Sequence, residues 1–322
     1  MAPEGLLLVD KPPGPTSHDV VEMARKALRQ PRVGHAGTLD PFASGLLPLV
    51  LGRATRLVRF LPHSPKRYEG VLRLGMATST DDLTGDVVYR NALPPREAVL
   101  AAAACFRGTL RQVPPAFSAR KVAGRRLYRL AREGHTLVAP AASVEVHRFE
   151  LEPGETDEDW TFLAEVSAGT YIRALARDLG RNLGCGGTLV CLRRVAIGPL
   201  RLDSAVPIAD VAADQLRERL LAATIPLKSM PLQLPSLRLD DESLARRFVS
   251  GLAVPCPTSA PLGEKHSLFD PEGNLLGIAE VAAGGVRPVV VLSGTAGSGK
   301  PPRSPFLGRT RKGGIPSAGE GS

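Results

Sequence analysis

The 322-residue chain has only four cysteines and six histidines. The cysteines (Cys105, Cys185, Cys191 and Cys256) form no C-x-x-C pair, and no histidine stands beside them at the spacing of a zinc site. The histidines include no pair four residues apart, which argues against a zinc helix of the H-E-x-x-H kind. We therefore expect reduced thiols and no bound metal.

The chain also lacks a long apolar segment near its start. The apolar run in MAPEGLLLVDK is short, has no basic flank before it and is interrupted by Asp10, so it fits neither a signal peptide nor a membrane span. We expect a cytoplasmic protein without membrane association. With 43% hydrophobic residues, the chain is long enough to form two unequal folded units.

Acidic residues are fewer than basic ones, 32 against 41, so the net charge is +9. Residues 294–322 contain five bases and one acid, or +4, which leaves 36 bases and 31 acids, or +5, for the rest. Because clustered Lys and Arg gain affinity by displacing phosphate counterions, this balance favours a polyanionic partner such as a nucleic acid.

Periodicity predicts helices and strands, and the predicted hairpins indicate a sheet with antiparallel parts. The segment GLLLVD is typical of a buried strand, and TSHDVVEMARKALRQ of a helix that begins with a capping box between Thr16 and Asp19. Further helices are predicted in RATRLVRFL, PREAVLAAAACF and TYIRALARDLGRNLG, and strands in RYEGVLRLGMAT, VVYR, TFLAEVSAG and LVCLRRVAIGPL. The apolar stripe of the first helix is Val20, Met23, Ala24, Ala27 and Leu28.

Composition divides the chain into three parts. Pro-punctuated sequence precedes the strand-like segments LFDPEGNLLGIAEV and VRPVVVL, so we place a domain boundary between residues 233 and 234. Residues 295–322 are rich in Gly, Pro, Ser and Arg and are expected to be disordered. Within the first part, residues 107–132 contain eight bases and no acid, with Phe117 and Tyr128 among them, which favours an element that grips a nucleic acid over a solvated loop.

The segment GTAGSGK has the spacing of a phosphate-binding loop, with Gly294, Gly299 and Lys300 in the required places. The Ser or Thr that should follow is Pro301, and Pro302 comes next, so no helix N-terminus can form to hold the phosphates. We therefore expect no nucleotide site here.

Asp40 in GHAGTLDPFASGLL has two possible roles. Asp followed by Pro41 is a preferred helix start, and PFASGLL is a possible short helix. The alternative is a catalytic carboxylate, because glycines at 34, 37 and 45 allow a ligand to approach the backbone closely and His35 stands nearby. The residues of this segment leave both interpretations open.

Arg173 lies in the first turn of a predicted helix, where the helix dipole disfavours a cation. A nearby anion would compensate, either an RNA phosphate or a carboxylate such as that of Asp40. Tyr171 shares this turn and is one of four tyrosines in the chain. A solvated Arg and a half-buried Tyr are the alternatives that carry no function.

Five segments together resemble the successive motifs of the TruB family of tRNA pseudouridine synthases. In chain order they are GLLLVDKPPGPTS, RVGHAGTLDPFASGLLPLVLGRATRL, KRYEGVLRLGMATSTDDLTGD, PPAFSARKVAGRRLYRLAREG and SAGTYIRALARDLGRNLGCGGTLVCLRR. The similarity covers about residues 5–200.

The resemblance implies a fold and an activity. The fold is α+β, a pseudouridine synthase core with a mixed, largely antiparallel sheet flanked by helices and loops in residues 1–233, including the basic RNA-gripping insertion at 107–135. A small β-rich PUA-like RNA-binding domain follows in 234–294. The activity is isomerisation of uridine 55 in the T-loop of tRNA to pseudouridine. No metal or cofactor is implied, the partner is the tRNA T-arm, and we expect a monomer.

The resemblance also implies roles for residues of the active site. Asp40 matches the nucleophile of the family's G-T-L-D-P motif, and Arg173 matches the arginine that pairs with it. Tyr68 matches the tyrosine that packs on the uracil and is a candidate for removing the C5 proton. Tyr171 and Leu192 match residues of the pocket wall.

Other matched residues concern the RNA or support the site. His35 matches a histidine that helps to extract the T-loop bases, and Lys11 matches the lysine of an N-terminal K-P motif. Asp82 keeps an acidic place of the family pattern and is expected to make a polar contact to the uracil, whereas Ser79 departs from the pattern. The matched residues of the basic loop are Arg120, Lys121, Arg125 and Arg126. The alternative function is a catalytically silent tRNA-binding and folding module, which would retain all of these except Asp40, Tyr68 and Arg173.

Overall fold

The computed structural model describes residues 2–117, 121–122, 125–126, 139–209, 212–256 and 258–292. The helices in these ranges are α1 (Ser17–Leu28), α2 (Arg96–Ala104), α3 (Ile172–Asn182), α4 (Ala213–Ala222) and α5 (Glu242–Val249), with 3₁₀ helices at Gly52–Phe60, Leu202–Ser204 and Leu227–Ser229. None of the helices in the described ranges is long and apolar enough to cross a membrane.

The strands of the described ranges are numbered in chain order. They are β1 (Gly5–Lys11), β2 (Val33–His35), β3 (Ser44–Leu51), β4 (Lys66–Leu74), β5 (Met76–Thr78), β6 (Val87–Arg90), β7 (Gly108–Gln112), β8 (Lys121–Val122), β9 (Arg125–Arg126), β10 (Ala142–Pro153), β11 (Asp159–Val166), β12 (Gly187–Ile197), β13 (Leu200–Arg201), β14 (Val206–Pro207), β15 (Ile225–Pro226), β16 (Ser236–Arg238), β17 (Lys265–Phe269), β18 (Leu275–Ala282) and β19 (Gly285–Val291).

One large sheet carries the elements of the candidate site. Its order is β14-β1-β3-β12-β4-β11-β10-β7, with β2 and β13 paired to β3 and β12, and β15 paired to β1. β3 and β12 are parallel, whereas β1–β3, β12–β4 and β4–β11 are antiparallel. The α+β fold with a mixed, largely antiparallel sheet is therefore confirmed.

The apolar runs of β1 and β3 are buried on both faces of this sheet. Leu7 and Leu49 belong to the core beneath α1 and α3, whereas Leu6 and Val50 pack on the other face in a cluster that includes Ile278 of β18. Strands covered on both faces lose the polar alternation of an edge strand. This explains why the sequence shows a continuous apolar run here.

Helix α1 begins with the predicted capping box. The Thr16 side chain accepts a hydrogen bond from the Asp19 N–H at 3.1 Å, and the Asp19 carboxylate accepts from the Thr16 N–H at 2.8 Å. The predicted apolar stripe is wrong at one position, because Met23 is 39% exposed and Val21 is buried in its place. The helix packs near the turn that contains Asp40, because its Val20 shares a core with Leu39 and Ala43.

The segment predicted as a helix at RATRLVRFL is a 3₁₀ helix instead. Its three-residue repeat eclipses side chains three apart. Arg53 and Arg56 accordingly lie on one side, where they donate hydrogen bonds to the carbonyls of Leu292 and Val291 at the end of β19. The predicted long strand at RYEGVLRLGMAT is divided into β4 and β5 at Gly75, whose φ is +85°.

The C-terminal part of the described chain forms a second sheet of order β16-β17-β18-β19. Helix α5 packs on it through Phe248, which shares a separate core with Leu268 and Val286. The predicted basic insertion contains the hairpin β8–β9, in which Lys121 pairs with Arg126 and Val122 with Arg125. Arg120 lies outside the described residues. So do the GTAGSGK segment and the predicted disordered tail at 295–322.

Candidate active site

Asp40 lies in a turn that leads into β3. The Ala43 N–H donates to the Asp40 carbonyl at 3.1 Å, and the strand begins at Ser44. The interpretation of Asp40 and Pro41 as a helix start is therefore wrong, because pairing with β1 and β12 draws the following residues into the sheet. The Asp40 side chain is 35% exposed.

The buried Lys11 ammonium holds the turn from one side. Nζ donates to the carbonyls of Ala43 at 2.6 Å, Pro12 at 2.9 Å and Pro41 at 3.1 Å. Burial lowers the pKa of Lys11 to about 8, and the Asp40 carboxylate acts in the opposite direction. Lys11 thus fixes the backbone after Asp40 and contributes a positive charge close to its carboxylate.

Ser17 and Arg194 hold the residues that precede Asp40. The Ser17 hydroxyl both accepts from the Leu39 N–H at 2.9 Å and donates to the Leu39 carbonyl at 3.0 Å. The fully buried Arg194 guanidinium donates to the carbonyls of Leu46 at 2.9 Å, Gly37 at 3.0 Å and Thr38 at 3.2 Å. Together with Lys11, these groups define the backbone position of Asp40 on both sides.

Gly45 is required where β3 meets β12. Its φ is +99°, and a Cβ at this position would lie 2.4 Å from the Arg194 carbonyl oxygen. No side chain fits that gap without moving one of the strands. The glycine therefore allows β3 to approach the strand that carries Arg194.

Replacing Arg194 with Met is expected to lower the free energy of unfolding by about 2–4 kcal/mol, because three carbonyls lose their donor inside the fold. Displacement of the turn should also reduce the rate at saturating substrate by about 10²-fold. Urea denaturation and single-turnover kinetics measure the two effects.

Arg193→Met is the matched control for this variant. Arg193 is the preceding residue of β12 and forms a partly exposed ion pair with Asp10 at 2.7 Å. Removing such a pair should cost about 1 kcal/mol or less and leave the rate nearly unchanged. Equal kinetic losses in the two variants would contradict a specific role of Arg194 in positioning the turn.

Arg173 brings Asp40 and Asp82 together at the start of α3. Its Nη2 lies 2.9 Å from Asp40 Oδ2, and its Nη1 lies 3.4 Å from Asp82 Oδ2. The same two nitrogens donate to the carbonyls of Phe117 and Thr80, each at 2.9 Å. The side chain is only 4% exposed, so a buried cation in the first helical turn has the carboxylate partner that its position requires.

Asp82 supports Arg173 from within a turn. Its Oδ1 accepts from the hydroxyls of Thr84 and Thr80 at 2.5 Å and 2.8 Å and from the Thr84 N–H at 3.0 Å. Asp82 is buried and does not line the cleft described next. Ser79, which departs from the family pattern, accepts a hydrogen bond from the Asp86 N–H at 3.1 Å and closes the same turn.

Asp40 opens onto a cleft of about 230 Å³. The volume is below the range of sites for drug-sized ligands and suits one small planar group. The lining residues are Thr38, Leu39, Asp40, Lys66, Tyr68, Gly169, Thr170, Tyr171, Ile172, Arg173 and Leu192.

Five sequence-predicted site residues meet in this cleft: Asp40, Tyr68, Tyr171, Arg173 and Leu192. Tyr68 and Leu192 come from the neighbouring strands β4 and β12 and are nearly buried. Tyr171 precedes α3, and the Gln112 side chain holds its backbone.

The other predicted site residues lie outside the cleft lining. Lys11 and Asp82 support it as described, and His35 is a half-buried residue at the end of β2, opposite Leu49 of β3. Lys121, Arg125 and Arg126 lie in the β8–β9 hairpin, and Arg120 is not described.

Besides the remaining residues of the cleft lining, the described side chains at the site that were not predicted from the sequence include Ser17, Lys66, Gln112 and Arg194. The Gln112 side chain accepts from the Tyr171 N–H at 2.8 Å and donates to the Tyr171 carbonyl at 3.1 Å, which fixes the start of α3. Lys66 carries a usable signal, because it stands two residues before Tyr68 and so shares its face of the strand. The roles of Ser17, Gln112 and Arg194 depend on long-range contacts that carry no local pattern.

Lys66 is half-buried, and burial, with a smaller contribution from Arg194, lowers its pKa to about 8 from the ordinary 10.5. At pH 7 the folded protein therefore holds a disfavoured charge. Lys66→Met should be at least as stable as the wild type, with a gain of about 1 kcal/mol where solvent screens part of the cost.

The stability difference should depend on pH. Between pH 8 and 10.5 the unfolded chain retains the Lys66 proton more than the folded chain does, so the wild-type free energy of unfolding rises relative to the variant and the gap closes. Urea denaturation at several pH values measures this. Arg67→Met is the control, since its guanidinium stays protonated throughout this pH range. A difference in the free energy of unfolding between wild type and Lys66→Met that does not change with pH would contradict the prediction.

The chain is similar to known proteins over most of its length. Residues 25–172 match the family described as TruB family pseudouridylate synthase (N terminal domain), and residues 173–230 match the tRNA pseudouridylate synthase B C-terminal domain. The tRNA pseudouridine synthase B of Thermobifida fusca (strain YX) is 41% identical over 303 residues, covering 91% of this chain and 99% of that protein.

Less similar proteins also match this chain over most of its length. The tRNA pseudouridine synthase B of Thermotoga maritima is 38% identical over 282 residues, covering 86% of this chain and 89% of that protein. A chain in the crystal structure of a Cbf5-Nop10-Gar1 complex aligns with a TM-score of 0.67 at 25% identity, covering 90% of this chain and 85% of that chain. The chain therefore belongs to the TruB family of pseudouridine synthases and is a pseudouridine synthase enzyme.

Proposed function

We propose that this enzyme isomerises uridine 55 in the T-loop of tRNA to pseudouridine, with Asp40 as the nucleophile. The observation that carries the proposal is the Asp40–Arg173 ion pair at the cleft, with a nitrogen-to-oxygen distance of 2.9 Å. The relatives named tRNA pseudouridine synthase B support the choice of tRNA as substrate, and the +9 charge suits a polyanion. We infer that the enzyme acts on this substrate in the cytoplasm.

The proposed reaction exchanges one glycosyl bond for another. An Asp40 carboxylate oxygen bonds to C1′ of the flipped nucleotide, the C1′–N1 bond breaks, and its electron pair stays on the uracil. The uracil turns, C5 bonds to C1′, and the Asp40 carboxylate leaves. C5 then loses its proton and N1 gains one, so the product has the same composition as the substrate.

Residues in and beside the cleft contribute to different parts of this reaction. Arg173 holds the Asp40 carboxylate in one direction, and Lys11, Ser17 and Arg194 hold its backbone, so that little reorganisation is needed at C1′. Tyr68 supports the uracil ring and is the candidate for receiving the C5 proton. Tyr171 and Leu192 exclude water from the ring.

Binding of the RNA requires further elements. We assign extraction of the target base to His35 and the grip on the T-arm to the basic insertion with Arg120, Lys121, Arg125 and Arg126. We assign the role of a PUA-like RNA-binding domain to residues 234–294, whose described part contains the second sheet, β16–β19.

A T-arm stem-loop with tritium at C5 of its uridines tests the proposal. Formation of the C5–C1′ bond releases that tritium, so the wild-type enzyme should release one tritium per RNA. The same RNA with cytidine in place of the target uridine should release none. Release from the cytidine-containing RNA would refute the choice of uridine 55.

A further inference from the structure

Lys66 is a charged residue of the cleft that the proposed mechanism does not use. Lys66 and Tyr68 are two residues apart on β4 and both line the cleft. Among the residues that the structure describes, none forms an ion pair or hydrogen bond with the Lys66 ammonium, and the charged group that lowers its pKa is another cation, Arg194. A half-buried cation that has no partner in the described part of the chain is available to bind a group of the substrate.

The strand register places Lys66 on the side of Tyr68 that is remote from Asp40. Along β4, Gly70 is opposite Leu192, Tyr68 is opposite Arg194, and Lys66 is opposite Ile197. The Asp40 turn joins β3 at Ser44, which is opposite Arg193, and β3 runs parallel to β12. The turn therefore approaches the sheet from the Leu192 end, and Lys66 lies beyond Tyr68.

We propose that the Lys66 ammonium binds an exocyclic oxygen of the target uracil and stabilises the negative charge that this oxygen gains when the C1′–N1 bond breaks. This inference rests on the proposed function, because it takes C1′ to lie at Asp40 and the uracil ring to lie on Tyr68. The ring edge farthest from C1′ then faces Lys66.

The charge requirement of the reaction fits a cation at that edge. The electron pair of the broken bond spreads over N1, O2 and O4 of the uracil, so an ammonium at one of these oxygens interacts more strongly with the transition state than with the substrate. A donor at O4 also disfavours cytosine, which presents an amino group there. Lys66 thus contributes to rate and to base selection.

A phosphate is the other anionic group that the RNA offers. The phosphates that flank the target nucleotide are attached to its sugar, which lies at Asp40 and not beyond Tyr68. The register consequently favours the base edge over a phosphate as the partner of Lys66.

The test combines variants of Lys66 with thio-substituted RNA. The proteins are wild type, Lys66→Met, Lys66→Arg and, as control, Arg67→Met, since Arg67 is the next residue of β4 and forms an exposed ion pair with Glu165 at 2.5 Å. The RNAs are T-arm stem-loops with uridine, 2-thiouridine or 4-thiouridine at the target position. Single-turnover rate, Kd and the dependence of Kd on salt are measured for each.

Lys66→Met should lower the saturating rate by about 10²-fold or more, as loss of one donor to a developing oxyanion does, and should change Kd by less than about threefold. Lys66→Arg should recover part of the rate, and Arg67→Met should match the wild type. The 4-thio substitution should slow the wild type but have little further effect on Lys66→Met, because O4 is the exocyclic oxygen farthest from N1 and C1′. The 2-thio substitution should affect the two proteins alike.

Two results would overturn the inference. If Lys66→Met weakens binding, lowers the slope of log K against log salt by about 0.7–0.9 and keeps its saturating rate, then Lys66 binds a phosphate. If both thio substitutions slow the wild type and Lys66→Met equally, then Lys66 does not contact the base.

Failure of the proposed function would be recognised separately. In that case the wild-type enzyme would not modify the T-arm uridine, and the same proteins would be compared on the RNA whose uridine it does modify. A melting curve of Lys66→Met, expected to be no lower than that of the wild type, excludes unfolding as the cause of a lost rate.

Discussion

Asp40→Asn is expected to lower the single-turnover rate of pseudouridine formation by about 10⁴-fold or more, while the Kd for a T-arm stem-loop stays within a few-fold of the wild-type value. Asn has the shape of Asp and keeps an oxygen for the Arg173 contact at 2.9 Å. An amide oxygen is a far weaker nucleophile than a carboxylate, so the bond to C1′ does not form. Rapid-quench kinetics and filter binding measure the two quantities.

Asp10→Asn is the matched control for this variant. Asp10 is a partly exposed carboxylate of β1 that pairs with Arg193 at 2.7 Å and does not line the cleft. Its replacement should change the rate by less than about threefold, because an exposed ion pair contributes little. An Asp40→Asn enzyme that retains a tenth of the wild-type rate would contradict the assignment of Asp40 as nucleophile.

Arg173→Met is expected to have the second largest effect. It leaves the nearly buried Asp82 carboxylate without its cation and releases Asp40, so the free energy of unfolding should fall by about 3–5 kcal/mol. The single-turnover rate should fall by about 10²–10³-fold, since Asp40 no longer has a fixed direction. Kinetics must be measured at a temperature where the variant is folded, as judged by circular dichroism.

Arg177→Met separates the two effects of Arg173. Arg177 lies one turn later on α3, is similarly buried and pairs with Asp81 at 3.1 Å and Asp178 at 2.8 Å, but does not contact Asp40. Burial raises the pKa of Asp81, whereas Arg177 acts to lower it, so removal of Arg177 should also destabilise the fold. The rate of the folded Arg177→Met enzyme should remain within about tenfold of wild type. Equal rate losses in the two variants would show that α3 as a whole, not the Arg173 contact, controls activity.

Local sequence predicted the elements that local forces determine. The Thr16–Asp19 capping box starts α1 as expected, and the apolar run of β1 forms a strand covered on both faces. The position of Arg173 in a first helical turn called for an anion, and the fold supplies Asp40. In each case a short-range preference agrees with the tertiary structure.

The Asp40 turn shows where local preference fails. Asp followed by Pro favours a helix start, yet the backbone of β3 gains seven paired positions with β1, from Gly45 to Leu51. That pairing outweighs one cap, which is worth about 1 kcal/mol. The interpretation as a catalytic carboxylate did not depend on the helix and remains the proposal.

The supporting residues could not be predicted because their roles arise from register. Arg194 reaches Gly37 and Thr38 only because β12 is parallel to β3. Lys66 is the exception, because the alternation of β4 puts it on the same face as Tyr68. Neither the pairing of β3 with β12 nor its offset is encoded in a local motif. A single sequence therefore indicates the reacting carboxylate but not the groups that hold it.

Mapping of pseudouridine in a full-length tRNA transcript tests the central claim most directly. The transcript is incubated with wild type, Asp40→Asn or Asp10→Asn, and each modified position is located by chemical labelling and primer extension. We predict pseudouridine at position 55 alone with the wild type and with Asp10→Asn, and none with Asp40→Asn. Modification at another uridine, or at position 55 by Asp40→Asn, would contradict the account.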